Sequence, residues 1–341
     1  MIFKDHEEGI EMKLTEIVEE IAIGYMQNDP KSKKLAKHVD EVKEILNRKG
    51  VISEGRSFNF QNFPQDDLRS ESKSILNQGS VIFYQGSYAI HTAIMFGDYF
   101  VDADVAFYID EFIDLGIRER IFEALKYSFD GKYVVELKKP CITIDFGDQY
   151  MVDIAIYSKS SDGKSMRYHN CIGGTETTTA AVPKRIVSEF SNYLSNNELK
   201  RPVVRLMKYF TKNASNYLRI EDNDKIPSIS FILLAYLEYR PTDIKYNEDS
   251  VKRELIAFAK CFKEYVVSHK ELKEEHLMIT NTFYKVSNFD KVLQVINEVL
   301  QQVQSENYAS LMTSNHVEAV EKRRENSESS RNTAPLMGTM G

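Results

Sequence analysis

Three stretches of the chain carry side chains whose types and spacing could do chemistry together: Gly86-Ser87, Asp102-Ala103-Asp104, and Asp153 within Tyr150-Met-Val-Asp-Ile-Ala-Ile156. In Val101-Asp-Ala-Asp-Val-Ala-Phe-Tyr108 the apolar, β-prone residues predict a strand. Its period of two puts Asp102 and Asp104 on one face and Val101, Ala103 and Val105 on the other. Two adjacent carboxylates resist joint ionisation, and hard oxygen ligands of this kind suit Mg²⁺. Glycine lets the backbone approach a ligand closely, and Ser87 offers a hydroxyl and an amide to phosphate oxygens where a helix starts. Ser87 can serve there as an N-cap as well, since one hydroxyl can do both. The chemistry that suits this set is metal-assisted nucleotidyl transfer.

The elements that must position these residues fall into two patterns. Short β-type runs at Val81–Tyr84, Val101–Tyr108, Lys132–Leu137, Cys141–Phe146 and Gln149–Tyr157, with a helix near Glu111–Ser128, predict a sheet-based lobe. From Lys184 to Leu300 strand signals fade, and helices are expected at Lys184–Leu194, Pro202–Lys212, Ile229–Glu238, Val251–His269 and Asp290–Val303. The first fifty residues read as two supporting helices, Glu11–Met26 and Lys33–Lys49, stopped at Gly50. The expected organisation is therefore supporting helices over 1–50, a catalytic lobe over 51–183, a helical lobe over 184–307 and a mobile tail over 308–341. Beyond Tyr308 the tail has no aromatic residue and too little apolar surface to offset the cost of ordering.

Several residues compete for roles. Asp145 and Asp148 lie in a hairpin whose turn is built from Phe146-Gly-Asp148 and compete with Asp153 as third carboxylate; Asp148 suits a turn former, whereas Asp153 sits inside a strand between Val152 and Ile154. Arg201, Arg205, Lys208 and Lys212 fall four, three and four residues apart and share one helix face, which reads either as a solvated face or as a partner for an anion. The loop Cys171–Pro183, rich in hydroxyls and glycine, reads equally as a base-pocket wall or a plain link between lobes.

The chain has 341 residues and a net charge of −7, which argues against nucleic acid as its main partner. Its three cysteines, Cys141, Cys171 and Cys261, lack metal-type spacing and fit reduced thiols. No signal-peptide core and no apolar run of membrane-spanning length is present, so the expectation is a cytoplasmic protein without a membrane partner.

Gln85-Gly-Ser-Tyr-Ala-Ile-His-Thr-Ala-Ile94, then Asp102-Ala-Asp104, then Val152-Asp153, resembles the polymerase-β-type nucleotidyltransferase superfamily. Within it the chain is most similar to the CD-NTases, the bacterial relatives of cyclic GMP-AMP synthase and oligoadenylate synthase found in CBASS anti-phage systems. Leu199-Lys-Arg-Pro-Val-Val-Arg-Leu-Met-Lys-Tyr209 and Ile226-Pro-Ser-Ile229 resemble segments with which those enzymes hold a donor triphosphate. Ile90 and His91 depart from the Arg-Gly often found at their place, and Thr92 suits nucleotide contact and packing equally.

The resemblance implies an α+β, bilobal fold with a mixed-sheet catalytic lobe and a helical C-terminal lobe. It implies an enzyme that joins nucleoside triphosphates into a cyclic di- or trinucleotide, a second messenger for a downstream effector. Two Mg²⁺ ions, or Mn²⁺ in their place, would stand ~3.5–4 Å apart, with Asp102 and Asp104 bridging them and Asp153 on the acceptor side. Gly86, Ser87, Lys208 and Ser228 would hold the donor phosphates. In some systems of this kind a small C-terminal residue is activated by a ubiquitin-transferase-like partner, a role open to Gly341; a tail with no task is the alternative. A linear oligoadenylate synthase, a nucleotidyltransferase acting on RNA or protein, and a noncatalytic nucleotide-binding scaffold are the other readings.

Overall fold

A computed structural model describes residues 12–22, 30–48, 80–94, 101–109, 115–129, 131–161, 165–314 and 317. The expected stop at Gly50 and most of the expected tail, including Gly341, lie outside the described residues, but the start of that tail is ordered: Tyr308–Leu311 form a 3-10 turn that buries Tyr308 and Leu311 in the helical core.

A seven-stranded mixed sheet is formed by β1 (Ser80–Tyr84), β2 (Val101–Ile109), β3 (Val134–Leu137), β4 (Ile142–Asp145), β5 (Tyr150–Lys159), β6 (Met166–Ile172) and β7 (Thr175–Ala181). The order runs β1-β2-β5-β4-β3, with β6 paired to β5 and β7 to β6. The pair β2–β5 is parallel and the others described are antiparallel. A parallel pair needs a crossover, which here contains α4 (Ile117–Ser128) and the β3–β4 hairpin.

Alternation gives the sheet two different faces. Ala103, Val105, Phe107 and Ile109 of β2 join Val152, Ile154 and Ile156 of β5 in a core under α2 (Pro30–Arg48) and α4, where Leu35, Val39, Ile121 and Leu125 are buried. Burial of each large apolar side chain here contributes about 1.5–3 kcal/mol. With one face secured in this way, the opposite face can carry Asp102, Asp104 and Asp153.

The second core is helical. It gathers α1 (Leu14–Ile21), α5 (Pro183–Ser195), α6 (Lys200–Tyr217), α7 (Ser228–Glu238), α8 (Glu248–Ser268) and α9 (Phe289–Gln304). Helix α6 is central: its residues 202–211 are all buried, so it packs on every side. Helix α5 opens on Pro183, whose missing N–H costs nothing at a first helical position. The Asn247 and Asn288 side chains cap α8 and α9 by accepting from backbone amides of their first turns.

Two expectations are corrected. The first two helices do not form one supporting layer: α1 joins the helical core, while α2 packs on the sheet. A carboxylate from α8 fixes α1, for Glu248 accepts from the amides of Leu14 and Thr15, which have no side-chain cap of their own. The segment Cys171–Pro183 is not a loop but mostly the β6–β7 hairpin. Thr175-Glu-Thr-Thr-Thr-Ala-Ala181 pairs along its length with β6, and the reversal falls at Gly173-Gly174, both left-handed (φ 58° and 85°). Threonine is a strong strand former, which outweighs the flexibility suggested by a hydroxyl-rich composition.

Candidate active site

The parallel register of β2 and β5 sets Asp104 directly opposite Asp153, and Asp102 lies two residues along on the same face. Each of the three carboxylates offers one oxygen such that these atoms lie within 4.8 Å of one another. Asp102 is exposed, and Asp104 and Asp153 are half-buried. Burial, followed by the negative charges of Asp102 and Asp153, pushes the Asp104 carboxyl up to about 8. Burial also pushes Asp153 up. Three converging carboxylates, with the ionisation of Asp104 and Asp153 opposed in this way, fit a hard divalent cation, which would offset their repulsion.

Gly86 closes over this cluster. It is left-handed (φ 61°), and a Cβ built on it would lie 2.0 Å from Asp104 Oδ2. The Gln85 amide donates to the Asp104 carbonyl at 2.9 Å, and the Gln85 side chain accepts from the Tyr157 hydroxyl at 2.9 Å, so both ends of Gln85 tie the turn to the sheet. The helix expected after the turn is one turn only, α3 (Gly86–Ala89), and Gln85 rather than Ser87 is its N-cap. The chain then turns at left-handed His91.

The helical core grips the segment that follows. Lys208 Nζ donates to the Thr92 carbonyl at 2.9 Å, and Arg201 Nε donates to the Ile90 carbonyl at 3.4 Å. Lys208 is 6% exposed, and burial pushes its ammonium down to about 8 against the opposing pull of Asp102 and Asp104. The basic face of α6 is therefore solvated only at Lys212, which is exposed, while Arg201 is half-buried. Arg205 is fully buried, Lys208 nearly so, and Lys208 and Lys212 both line the cleft between the two cores. Gly86, Ser87, Asp102, Asp104 and Ser228 line the same cleft, a space of about 570 Å³ walled on its apolar side by Pro183, Ile186, Phe190, Ile229 and Ile232. Asp153 adjoins Asp104 outside that lining.

Asp145 and Asp148 are engaged elsewhere. Asp145 accepts from the Gly147 amide at 2.8 Å and shapes the β4–β5 turn. Asp148 pairs with Lys34 Nζ and His38 Nε2 of α2, each at 3.0 Å. Thr143 was not singled out by the sequence reading. It faces Asp153 across the β4–β5 pair, its Oγ1 donates to Asp153 Oδ1 at 2.5 Å, and it is 2% exposed. The signal was present in Cys141-Ile-Thr-Ile-Asp145, whose alternation puts Cys141, Thr143 and Asp145 on the polar face.

The fold is that of the polymerase-β-type nucleotidyltransferases, in the form taken by the bacterial CD-NTases. Among solved structures it is similar to the CD-NTase CdnG of Bradyrhizobium diazoefficiens in complex with GTP, at 14% identity and a TM-score of 0.63 over 92% of this chain and 98% of that one. It is likewise similar to Escherichia coli DncV in its 3′-deoxy GTP bound form, at 13% identity and a TM-score of 0.59 over 91% and 94%. Vibrio cholerae DncV, a cyclic AMP-GMP synthase in complex with the linear intermediate pppA(3′,5′)pG, matches at 12% identity and a TM-score of 0.58 over 87% and 91%. No model of a known protein family matches the chain, and neither does any curated protein sequence. Among the described residues no helix is long and apolar enough to cross a membrane.

Proposed function

We propose that this chain is a divalent-metal-dependent nucleotidyltransferase that joins nucleoside triphosphates into a cyclic di- or trinucleotide and releases pyrophosphate. The observation that carries this reading is the convergence of Asp102, Asp104 and Asp153 beneath the Gly86-Ser87 turn, at a cleft lined by Asp102 and Asp104 whose other wall presents Lys208 and Ser228. The likeness of fold to a CD-NTase seen with GTP and to a cyclic AMP-GMP synthase supports nucleotides as substrates.

Asp102, Asp104 and Asp153 would hold Mg²⁺, two ions in this reading, or Mn²⁺ in their place. When bound, such ions polarise the α-phosphate, favour the alkoxide form of an attacking hydroxyl and neutralise the leaving pyrophosphate. The remaining work belongs to the protein. The backbone at Gly86 and the hydroxyls of Ser87 and Ser228 seat the triphosphate, and Lys208 supplies a positive charge from the opposite wall. The apolar side chains of α5 and α7 would give the donor base a wall to pack against. Asp153 stands on the acceptor side, where a carboxylate favours departure of the hydroxyl proton.

We assign the product to signalling toward an effector protein in anti-phage defence, on the resemblance of the sequence and fold to the CD-NTases. The deciding experiment incubates the purified protein with all four ribonucleoside triphosphates and Mg²⁺, treats the products with phosphatase and identifies the survivors by mass spectrometry. A phosphatase-resistant cyclic species, absent with Asp102→Ala/Asp104→Ala, is expected. Linear oligomers would make the protein a linear oligoadenylate-type synthase. No turnover, with or without the tail-modifying partner, would make it a nucleotide-binding scaffold.

A further inference from the structure

We propose that Thr143 is a positioning residue that aims the Asp153 carboxylate at the metal-binding point of the cluster. The inference rests on the reading of Asp102, Asp104 and Asp153 as a cation site. Asp153 belongs to β5, and its neighbours on the two flanking strands are Asp104 of β2 and Thr143 of β4. The carboxylate therefore stands between the Asp104 carboxyl on one side and a hydroxyl donor on the other. Without a donor on the β4 side, nothing there would fix the rotation of the Asp153 side chain about its own bonds. The Thr143 Oγ1–H, donating to Asp153 Oδ1 at 2.5 Å, opposes that rotation and leaves Oδ2 for the cation.

Thr143 is itself held in place. It is 2% exposed, its χ1 is restricted by β-branching within a strand, and Cys141 Sγ lies 3.7 Å from its Oγ1. Because the single Thr143 hydroxyl hydrogen is given to Asp153, the hydrogen for this contact comes from the thiol. A thiol that donates to Thr143 Oγ1 leaves the threonine hydrogen for Asp153. Cys141, Thr143 and Asp153 thus form a directed line of donors ending on the carboxylate. Partners of metal ligands commonly cost ~10- to 100-fold in metal affinity or activity when removed.

The test compares Thr143→Val, which keeps the shape and loses the hydroxyl, with Thr143→Ser, which keeps the hydroxyl. Mn²⁺ affinity is measured on the full chain by electron paramagnetic resonance of the free ion, with no nucleotide present. Pyrophosphate release is followed in parallel at saturating and limiting nucleoside triphosphate. We expect T143V to weaken Mn²⁺ binding ~10- to 100-fold and to lower kcat with little change in nucleotide KM. T143S is expected to restore both. Unchanged Mn²⁺ affinity in T143V would overturn the proposal, as would a T143S variant no better than T143V. Metal-free melting confirms that each variant is folded; should T143V not fold, Mn²⁺ affinity of T143S and Thr143→Ala decides in the same way. The Mn²⁺ titration needs no turnover. A wild-type chain that binds Mn²⁺ through Asp153 yet releases no pyrophosphate would therefore sink the proposed activity and leave the role of Thr143 standing.

Discussion

The Cβ that Gly86 lacks would occupy the place of the Asp104 carboxylate: built on the backbone, it lies 2.0 Å from Oδ2 and 2.7 Å from Cγ of that side chain. The turn and the carboxylate are thus one fitted unit. The backbone would thereby come close to a phosphate held by a cation on Asp104, and the left-handed φ of 61° reinforces the need for glycine.

It follows that Gly86→Ala must move either the turn or Asp104. A displacement of about 1 Å in a positioned group can cost ~100-fold in rate. We expect G86A to lose about that much or more in pyrophosphate release while its far-ultraviolet circular dichroism stays like that of the wild type. Activity within a few-fold of the wild type would mean that the close approach of turn and carboxylate has no part in the reaction.

Asp153 is set apart from Asp102 and Asp104 by lying outside the lining of the cleft that would take the donor nucleotide. Asp153→Asn is therefore expected to reduce kcat by more than the ~100-fold that loss of a ligand's supporting partner costs, with nucleotide KM nearly unchanged. Steady-state kinetics over a range of triphosphate concentrations checks this. A rise in KM with kcat intact would move Asp153 to the donor side.

How much of this was legible in the sequence depends on the range over which each feature is determined. Period-two alternation is local, and the face on which it put Asp102 and Asp104 is the one the sheet displays. The parallel pairing that sets Asp104 beside Asp153 joins residues 49 apart through a crossover, so motif order could suggest it but no spacing could derive it. The separate fates of α1 and α2 were hidden for a similar reason, since the carboxylate that caps α1 comes from Glu248, more than 230 residues away. The β6–β7 hairpin was missed on composition, because threonines and a Gly-Gly pair suggest a loop until the pairing partner Met166–Ile172 is known. For Thr143 the local alternation gives only its face, and its importance comes from its cross-strand neighbour Asp153, which that alternation does not fix.

Lys208 joins the two cores through the Thr92 carbonyl and faces the cleft with the same ammonium. Lys208→Met keeps the length of the apolar stem and removes the charge. A charge-assisted hydrogen bond contributes about 1.5–3 kcal/mol, which corresponds to ~10- to 150-fold in affinity. Binding of a nonhydrolysable ATP analogue, measured by calorimetry, is expected to weaken by about this factor. Equal affinity in K208M and the wild type would confine Lys208 to holding Thr92.

Asp224 provides a test of how the helical core is assembled. Its carboxylate accepts from Lys291 Nζ at 2.8 Å, Ser287 Oγ at 2.6 Å, the Ser287 amide at 3.1 Å and the Asn288 amide at 2.9 Å, and so joins a 3-10 turn at Asp222–Asp224 to the start of α9. The bond from Lys291, then that from Ser287, holds the carboxyl down to about 2 against the effect of burial. An unfolded aspartate titrates at about 3.9, so the folded protein binds its proton less readily than the unfolded chain does. The stability gained in this way is fully present above roughly pH 4 to 5 and is lost as the pH falls through about 2. In urea unfolding, the gap between wild type and Asp224→Asn is expected to stay constant from pH 7 to 5 and to narrow as the pH falls toward 2. A gap that does not change across that window would show that the bonds to Lys291 and Ser287 do not distinguish the charged carboxylate from the neutral amide.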